Sequence, residues 1–221
     1  MKTVILGTRG FPHVQGGVEK HCQELAVHLA RLGCAVIVFT RKPYIDPEIK
    51  EYKGVTLVAL PAIRCKAVEA LLHTFMGVFA ALQYRPDVLH IQSIGPGLFA
   101  LLARILGMKV VVTSHGSNYK HREWGFLGGL FLRLAEFLAI TCANDVIAIS
   151  ETIAGEIKQH YKKTANIVFN GIDIPEIVDS EGSLGRYSLT RGTYIFAIGR
   201  FVPVKGFDVL IDAFEQSGLQ N

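Results

Sequence analysis

Thr3-Val4-Ile5-Leu6-Gly7 runs into the turn Thr8-Arg9-Gly10-Phe11-Pro12 and then into Gly16-Gly17-Val18-Glu19, where a helical pattern begins. A short β-branched run, a glycine-punctuated turn and an amphipathic helix together open a βαβ unit. The helix expected over 17–32 carries Cys22, Leu25, Ala26, Leu29 and Leu32 on one stripe and stops at Gly33. The same alternation continues along the chain. Strands are expected at 3–7, 35–40, 55–60, 88–92, 109–114, 146–150 and 166–169, with further helices at 66–83, 97–106, 127–141 and 151–161. Most of these strands are continuously apolar, as in a parallel sheet covered on both faces. The expected fold class is therefore α/β, a doubly wound and mostly parallel sheet.

The pattern changes after Phe169. Residues 1–173 read as one complete domain, and 174–192, with Pro175 and a Glu/Asp/Ser/Gly cluster, read as a linker. Residues 193–221 read as the first strand and helix of an incomplete second α/β unit, with the strand at 193–199. Its helix puts Val209, Leu210, Ala213 and Phe214 on a stripe that needs a partner surface, so association through this apolar face is expected.

Composition narrows the function classes. Of 221 residues, 50% are hydrophobic and 19% charged, which excludes a disordered or collagen-like chain. The net charge of +4 is spread along the sequence rather than blocked, against a dedicated nucleic-acid binder, and it leaves an acidic small molecule or an anionic membrane surface as the partners to expect. The four cysteines, Cys22, Cys34, Cys65 and Cys142, are far apart and read as buried, reduced thiols. No basic segment precedes the first strand as in a signal peptide, and the uncharged stretch 70–82 is too short to span a bilayer. A cytoplasmic location is expected, or a peripheral one at the inner face of the membrane. The second alternative rests on Leu71, Leu72, Phe75, Met76 and Phe79, flanked by Arg64, Lys66 and Arg85; an ordinary core helix reads the same way.

Four clusters could carry chemistry. Gly16 and Gly17, with Glu19 just inside the helix, form a loop whose amides could approach a phosphate; an ordinary glycine-rich turn is the other reading. Neither the G-x-G-x-x-G spacing nor a P-loop is present. His115-Gly116 follows the expected strand 109–114, at the strand ends where open parallel sheets bind ligands. Asn170-Gly171-Ile172-Asp173 also follows a strand, though Asn-Gly is first a turn signal. Finally, Gly199-Arg200 and Lys205-Gly206 bracket a loop whose two cations suit a diphosphate. His21 and His28 lack a third ligand at sensible spacing, so no metal site is expected.

Together these motifs resemble glycosyltransferase family 4, the retaining, sugar-nucleotide-dependent enzymes of the GT-B fold. The most specific match is Gly199-Arg200 with Lys205-Gly206-Phe207-Asp208-Val209-Leu210-Ile211-Asp212-Ala213-Phe214; Gly16-Gly17-Val18-Glu19, His115-Gly116 and Asn170-Gly171-Ile172-Asp173 also match. The opening Gly7-Thr8-Arg9-Gly10-Phe11-Pro12 is similar to a bacterial subgroup that builds surface polysaccharides. The resemblance implies a Rossmann-like N-terminal domain on the acceptor side and the threshold of a C-terminal domain on the donor side. It implies hexosyl transfer from a nucleotide sugar to a glycan or lipid-linked acceptor, with no cofactor and no metal. Arg200 and Lys205 would neutralise the donor diphosphate, and His115 would act near the transferred sugar. Gly16, Gly17 and Glu19 would line the opposite wall, with Gly116, Asn170 and Asp173 lining the cleft.

The resemblance also implies that the family's paired-glutamate motif lies outside this sequence, so the donor site is expected to be incomplete in this chain. The alternative is a non-catalytic acceptor-binding or regulatory module derived from such an enzyme. A nicotinamide-dependent oxidoreductase is disfavoured, because Thr40-Arg41-Lys42 follows the second strand where an acidic residue would be needed.

Overall fold

The computed structural model describes residues 1–63, 68–116, 125–171, 173–174, 181–199 and 201–219. The described residues divide into two compact units, Met1–Asp173 and Ile174–Asn221.

The first unit is built on an eight-stranded sheet in the order β3-β4-β2-β1-β5-β6-β7-β8. The strands are β1 Lys2–Leu6, β2 Ala35–Arg41, β3 Glu51–Tyr52, β4 Val55–Leu60, β5 Val88–Gln92, β6 Val110–Ser114, β7 Asp145–Ala148 and β8 Asn166–Ile167. All pairings are parallel except β3 with β4, where Glu51 lies opposite Thr56 and Tyr52 opposite Val55. The two-residue β3 went unpredicted because it is too short to carry a period.

The helices of this unit are α1 Gly17–Arg31, α2 Glu69–Tyr84, α3 Ile94–Gly97, α4 Ala100–Ile105, α5 Gly125–Cys142 and α6 Glu151–Tyr161. The expected helix 97–106 is broken in two, with Leu98 and Phe99 between α3 and α4. Pleating sends alternate residues to opposite faces, and two cores result. On one face Ile5, Val36, Val38 and Leu57 pack with Cys22, Ala26 and Val27 of α1. On the other, Val4, Leu6, Leu89, Ile91, Val110 and Val112 pack with Val78 of α2, Ala103 of α4, Ala139 and Ile140 of α5 and Ile157 of α6. Of the cysteines, Cys22 is buried while Cys34 and Cys142 are only half-buried, and all three are free thiols; Cys65 lies outside the described residues.

The second unit departs from its expected pattern. The strand expected at 193–199 is not formed: among the described residues nothing pairs with it, and a strand without a ladder partner leaves its amides to water. A five-residue helix, α7 Glu181–Gly185, lies in the segment expected to be linker. A single 3-10 turn, Pro203–Lys205, precedes α8 Phe207–Gln216, which buries none of its residues. Leu210 and Phe214 are 41% and 36% exposed, so the stripe on α8 has no cover within the described residues.

Candidate functional site

The chain leaves β1 toward β2 on one side and returns through β5 on the other, so β1 and β5 flank the point where the strand order reverses. In open α/β sheets a crevice opens there, beyond the carboxyl ends of the strands. Gly7 sits at that point with φ 105°, and a β-carbon on it would collide with the Gln92 carbonyl at the end of β5. Ser93, the next residue, holds φ 77° and ψ 153°, a region side-chain-bearing residues rarely adopt.

Three imidazoles gather at this edge. His90 and Gln92 alternate with the apolar Leu89 and Ile91 on β5, and so face away from the α2–α5 layer. The Gln92 amide bridges two of the rings: its Nε2 lies 3.2 Å from His90 Nε2, and its Oε1 lies 3.0 Å from His115 Nε2. Thr113 Oγ1 closes the chain, 2.7 Å from His90 Nε2. In this orientation the amide nitrogen donates to His90, and the amide oxygen accepts from His115. His115 therefore carries its proton on Nε2 and presents Nδ1 as a lone pair. His21 of α1 meets the His115 ring edge-on, with centroids 5.1 Å apart.

Burial pushes His90 down to about 4, helped by repulsion from His21 and His115. Burial and the neighbouring His21 likewise push His115 down to about 4. Both rings are neutral near pH 7, so His115 suits hydrogen bonding to a hydroxyl better than pairing with a phosphate charge.

The glycine loop holds an ion pair. Arg9 Nε donates to Glu19 Oε1 at 2.9 Å, and Arg9 Nη2 donates to the Gln15 carbonyl at 2.7 Å. Burial works against the Glu19 carboxylate, but the hydrogen bonds from Arg9 prevail and hold its pKa below the usual range. A β-carbon on Gly16, at φ 152°, would run into the Glu19 carboxylate and come within 2.7 Å of Arg9 Nη2. Gly17 has open space around it. The N-cap of α1 is Gly16, which makes no side-chain hydrogen bond to the first turn of the helix.

Arg9 also lies over the Tyr44 ring, 5.6 Å from its centroid. Tyr44 donates to Glu69 Oε2 at 2.9 Å, and Glu69 Oε1 lies 3.3 Å from Arg41 Nη1. The two arginines of this edge are thus matched by two carboxylates.

A second concavity of about 220 Å3 is lined by His21, Glu24, Leu25 and His28 of α1, together with Val168, Phe169, Gly171 and Asp173. It brings Asp173 to α1, with its Oδ1 3.6 Å from His28 Nε2. Ligand atoms of Glu24, His28 and Asp173 lie within 4.8 Å of one another, a third partner for His28 that sequence spacing missed. Lys20 already engages the Glu24 carboxylate at 2.5 Å.

The sequence candidates are distributed as follows. Gly16, Gly17, Glu19 and His115 lie at the carboxyl edge of the sheet; Gly116 follows His115 at φ 100°, where a β-carbon would meet Ile153 at 3.7 Å. Asn170 is exposed beyond β8, and Asp173 lines the second concavity. Lys205 is exposed in the second unit, and Arg200 lies outside the described residues. Gln92, His90, His21 and Arg9 were missed. The available signal was polar residues at alternate positions of a central apolar strand.

Residues 15–176 match the family model of Glycosyltransferase Family 4. An uncharacterized glycosyltransferase of Methanocaldococcus jannaschii is 24% identical over 216 residues, covering 96% of this chain and 56% of that protein. Sucrose-phosphate synthase from Thermosynechococcus elongatus superimposes with a TM-score of 0.75 at 19% identity, over 98% of this chain and 60% of that one. HepE of Anabaena, solved in complex with UDP and glucose, gives 0.68 at 18% identity, over 97% of this chain and 57% of that one. The chain therefore spans somewhat over half the length of these relatives, with the α/β sheet architecture of the GT-B glycosyltransferases. It belongs to glycosyltransferase family 4.

Proposed function

We propose that this chain carries the acceptor-side domain of a retaining glycosyltransferase that moves a hexosyl group from a nucleotide sugar to a glycan or lipid-linked acceptor in surface polysaccharide synthesis. The observation that carries this reading is the His115–Gln92–His90 chain at the strand-order reversal, beside the glycine loop that opens α1. A neutral His115 with a fixed tautomer offers Nδ1 to a sugar hydroxyl, while the amides of Gly17 and Val18 suit an anionic group. A nucleotide-sugar donor is supported by family membership and by the UDP and glucose bound to the similar HepE. Arg200 and Lys205 would stabilise the charge that develops as the diphosphate departs, without a metal and without a cofactor. No protein nucleophile is assigned. In a retaining transfer the acceptor hydroxyl attacks the face from which the diphosphate leaves.

The test is calorimetric titration with UDP-glucose, GDP-mannose, UDP and GDP, repeated on His115→Ala and Arg200→Ala. Sugar nucleotides should bind more tightly than the bare diphosphates. His115→Ala should remove that difference, at roughly 1–3 kcal/mol for one lost hydrogen bond in a desolvated site, whereas Arg200→Ala should weaken all four ligands together. Absence of binding by all four nucleotides would sink the donor claim and leave the acceptor-binding module.

A further inference from the structure

The concavity between α1 and the chain beyond β8 gathers metal-ligating side chains. His21, Glu24 and His28 of α1 line it at i, i+3 and i+7, on one face of the helix. Asp173, the last residue of the first unit, meets them there. His28 and Asp173 are exposed, so an ion can reach them from solvent.

The His28 ring is oriented for ligation. Its Nδ1 lies 2.8 Å from the Glu24 carbonyl oxygen, which can only accept, so Nδ1 carries the proton. Imidazoles that hold metal ions are fixed in this way, with the second nitrogen tied to a carbonyl or carboxylate. Nε2 faces Asp173 Oδ1 at 3.6 Å. If Nε2 also carried a proton, a charge-assisted hydrogen bond of about 2.7–2.9 Å would be expected. The observed separation is closer to the roughly 3.4 Å between two ligands held at about 2.0–2.1 Å by one tetrahedral ion.

Glu24 supplies a further oxygen. Its contacts with Lys20 and Gln23 both fall on Oε1, and among the described residues no hydrogen bond takes Oε2. One ligand atom from each of Glu24, His28 and Asp173 lies within 4.8 Å of the other two. Apart from this trio, His21 is only 9% exposed, and its buried Nε2 has no hydrogen-bond partner. Buried polar atoms are rarely left so, and a hydrated ion in the concavity brings water that answers it. Lys20 is the competitor, but its side chain is 58% exposed, and a surface ion pair is worth little against a divalent charge. One imidazole nitrogen with two carboxylates suits a transition ion better than Mg2+ or Ca2+, which prefer oxygen alone.

We propose that Glu24, His28 and Asp173 form a binding site for a divalent transition cation of the Zn2+ class, joining α1 to the end of the first unit. The cation takes no part in the transfer step, where Arg200 and Lys205 meet the diphosphate charge.

The experiment is calorimetric titration of the full, untagged chain with ZnCl2. No nucleotide or sugar is present, so its outcome is independent of the transferase reading. One equivalent should bind, with MgCl2 at the same concentration failing to compete. Asp173→Asn and His28→Gln should each weaken binding by at least about tenfold. Lys20→Gln should tighten it by at least about fivefold, the effect of removing a unit charge some 4 Å away even in water; a misfolded variant would not bind more tightly. His160 is the internal control. Its Nδ1 meets the Glu156 carbonyl at 2.8 Å with the same i, i+4 spacing, but no third ligand joins it among the described residues. His160→Gln should leave the affinity unchanged. Absence of Zn2+ binding, undiminished binding in Asp173→Asn or His28→Gln, no tightening in Lys20→Gln, or a loss in His160→Gln overturns the proposal.

Discussion

At the scale of single residues the carboxyl edge of the sheet is organised by one amide. Gln92 is fully buried and joins the rings of His90 and His115. Gln92→Leu fills its space while leaving two ring nitrogens without that partner. The expected cost is about 1–3 kcal/mol of stability, readable as a lower midpoint in urea. Nitrogen NMR of His115 should report the Nε2-protonated tautomer in the native chain and a mixture in the variant. A tautomer unchanged in Gln92→Leu would show that the amide does not set the proton's position. His115 was legible in the sequence because it stands just past a strand beside a glycine. Gln92 and His90 were not, because a polar side chain inside a strand gains its meaning from what lies across the ladder. Glu19 was legible as an acid in the first turn of a helix, but its pairing with Arg9 spans ten residues of loop and follows no period.

At the scale of elements, local chemistry set the better-read boundaries. Helix α6 starts where Ser150 accepts a hydrogen bond from the Ile153 amide at 3.2 Å, and it ends at Lys162 in the left-handed region. Ser150→Ala leaves that amide unpaired, and about 1 kcal/mol of stability should go with it. For a chain of this size that lowers the thermal midpoint by roughly 2–4 °C, measurable by calorimetry; an unchanged midpoint would remove the cap from the account. Strands β4 and β5 matched their expected limits because turn residues bracket their apolar runs. Elsewhere tertiary context overrode the pattern. The run 193–199 reads as a strand by composition, yet without a ladder partner among the described residues it remains irregular. The break between α3 and α4 was hidden because apolar residues continue across it. Lys163 donates to the Ile140 and Ala143 carbonyls at the end of α5, a cap supplied from a distance that sequence spacing does not mark.

At the scale of the whole molecule, the doubly wound sheet of the first unit was legible because each strand–helix alternation is a local signal, and right-handed crossovers leave few ways to assemble them. What the alternation does not encode is how many histidines end up without water. His73 is fully buried on α2, with Nε2 donating to the Thr40 carbonyl at 3.2 Å and Nδ1 unpartnered. Burial pushes it down to about 4 despite that hydrogen bond. His90 and His115 are held at the same value on the opposite side of the sheet. Well above pH 7 none of the three binds a proton in either the folded or the unfolded chain, so stability there does not depend on them. As pH falls below about 6.5 the unfolded chain takes up protons that the folded chain refuses. Stability is therefore lost between about pH 6.5 and 4, and a fully buried group such as His90 accounts for a loss of the order of 3 kcal/mol. The Glu19 carboxylate, held below its usual range, has the other window: its contribution persists above about pH 4.5 and goes only below that. Urea unfolding at half-unit steps from pH 8 to 4.5 should give a plateau above 7. Below it a decline should set in, fed by these three rings together with His21, whose pKa burial also lowers, and His73→Phe should reduce its slope by about one proton. A plateau extending to pH 5 would mean that the buried rings accept protons within the fold.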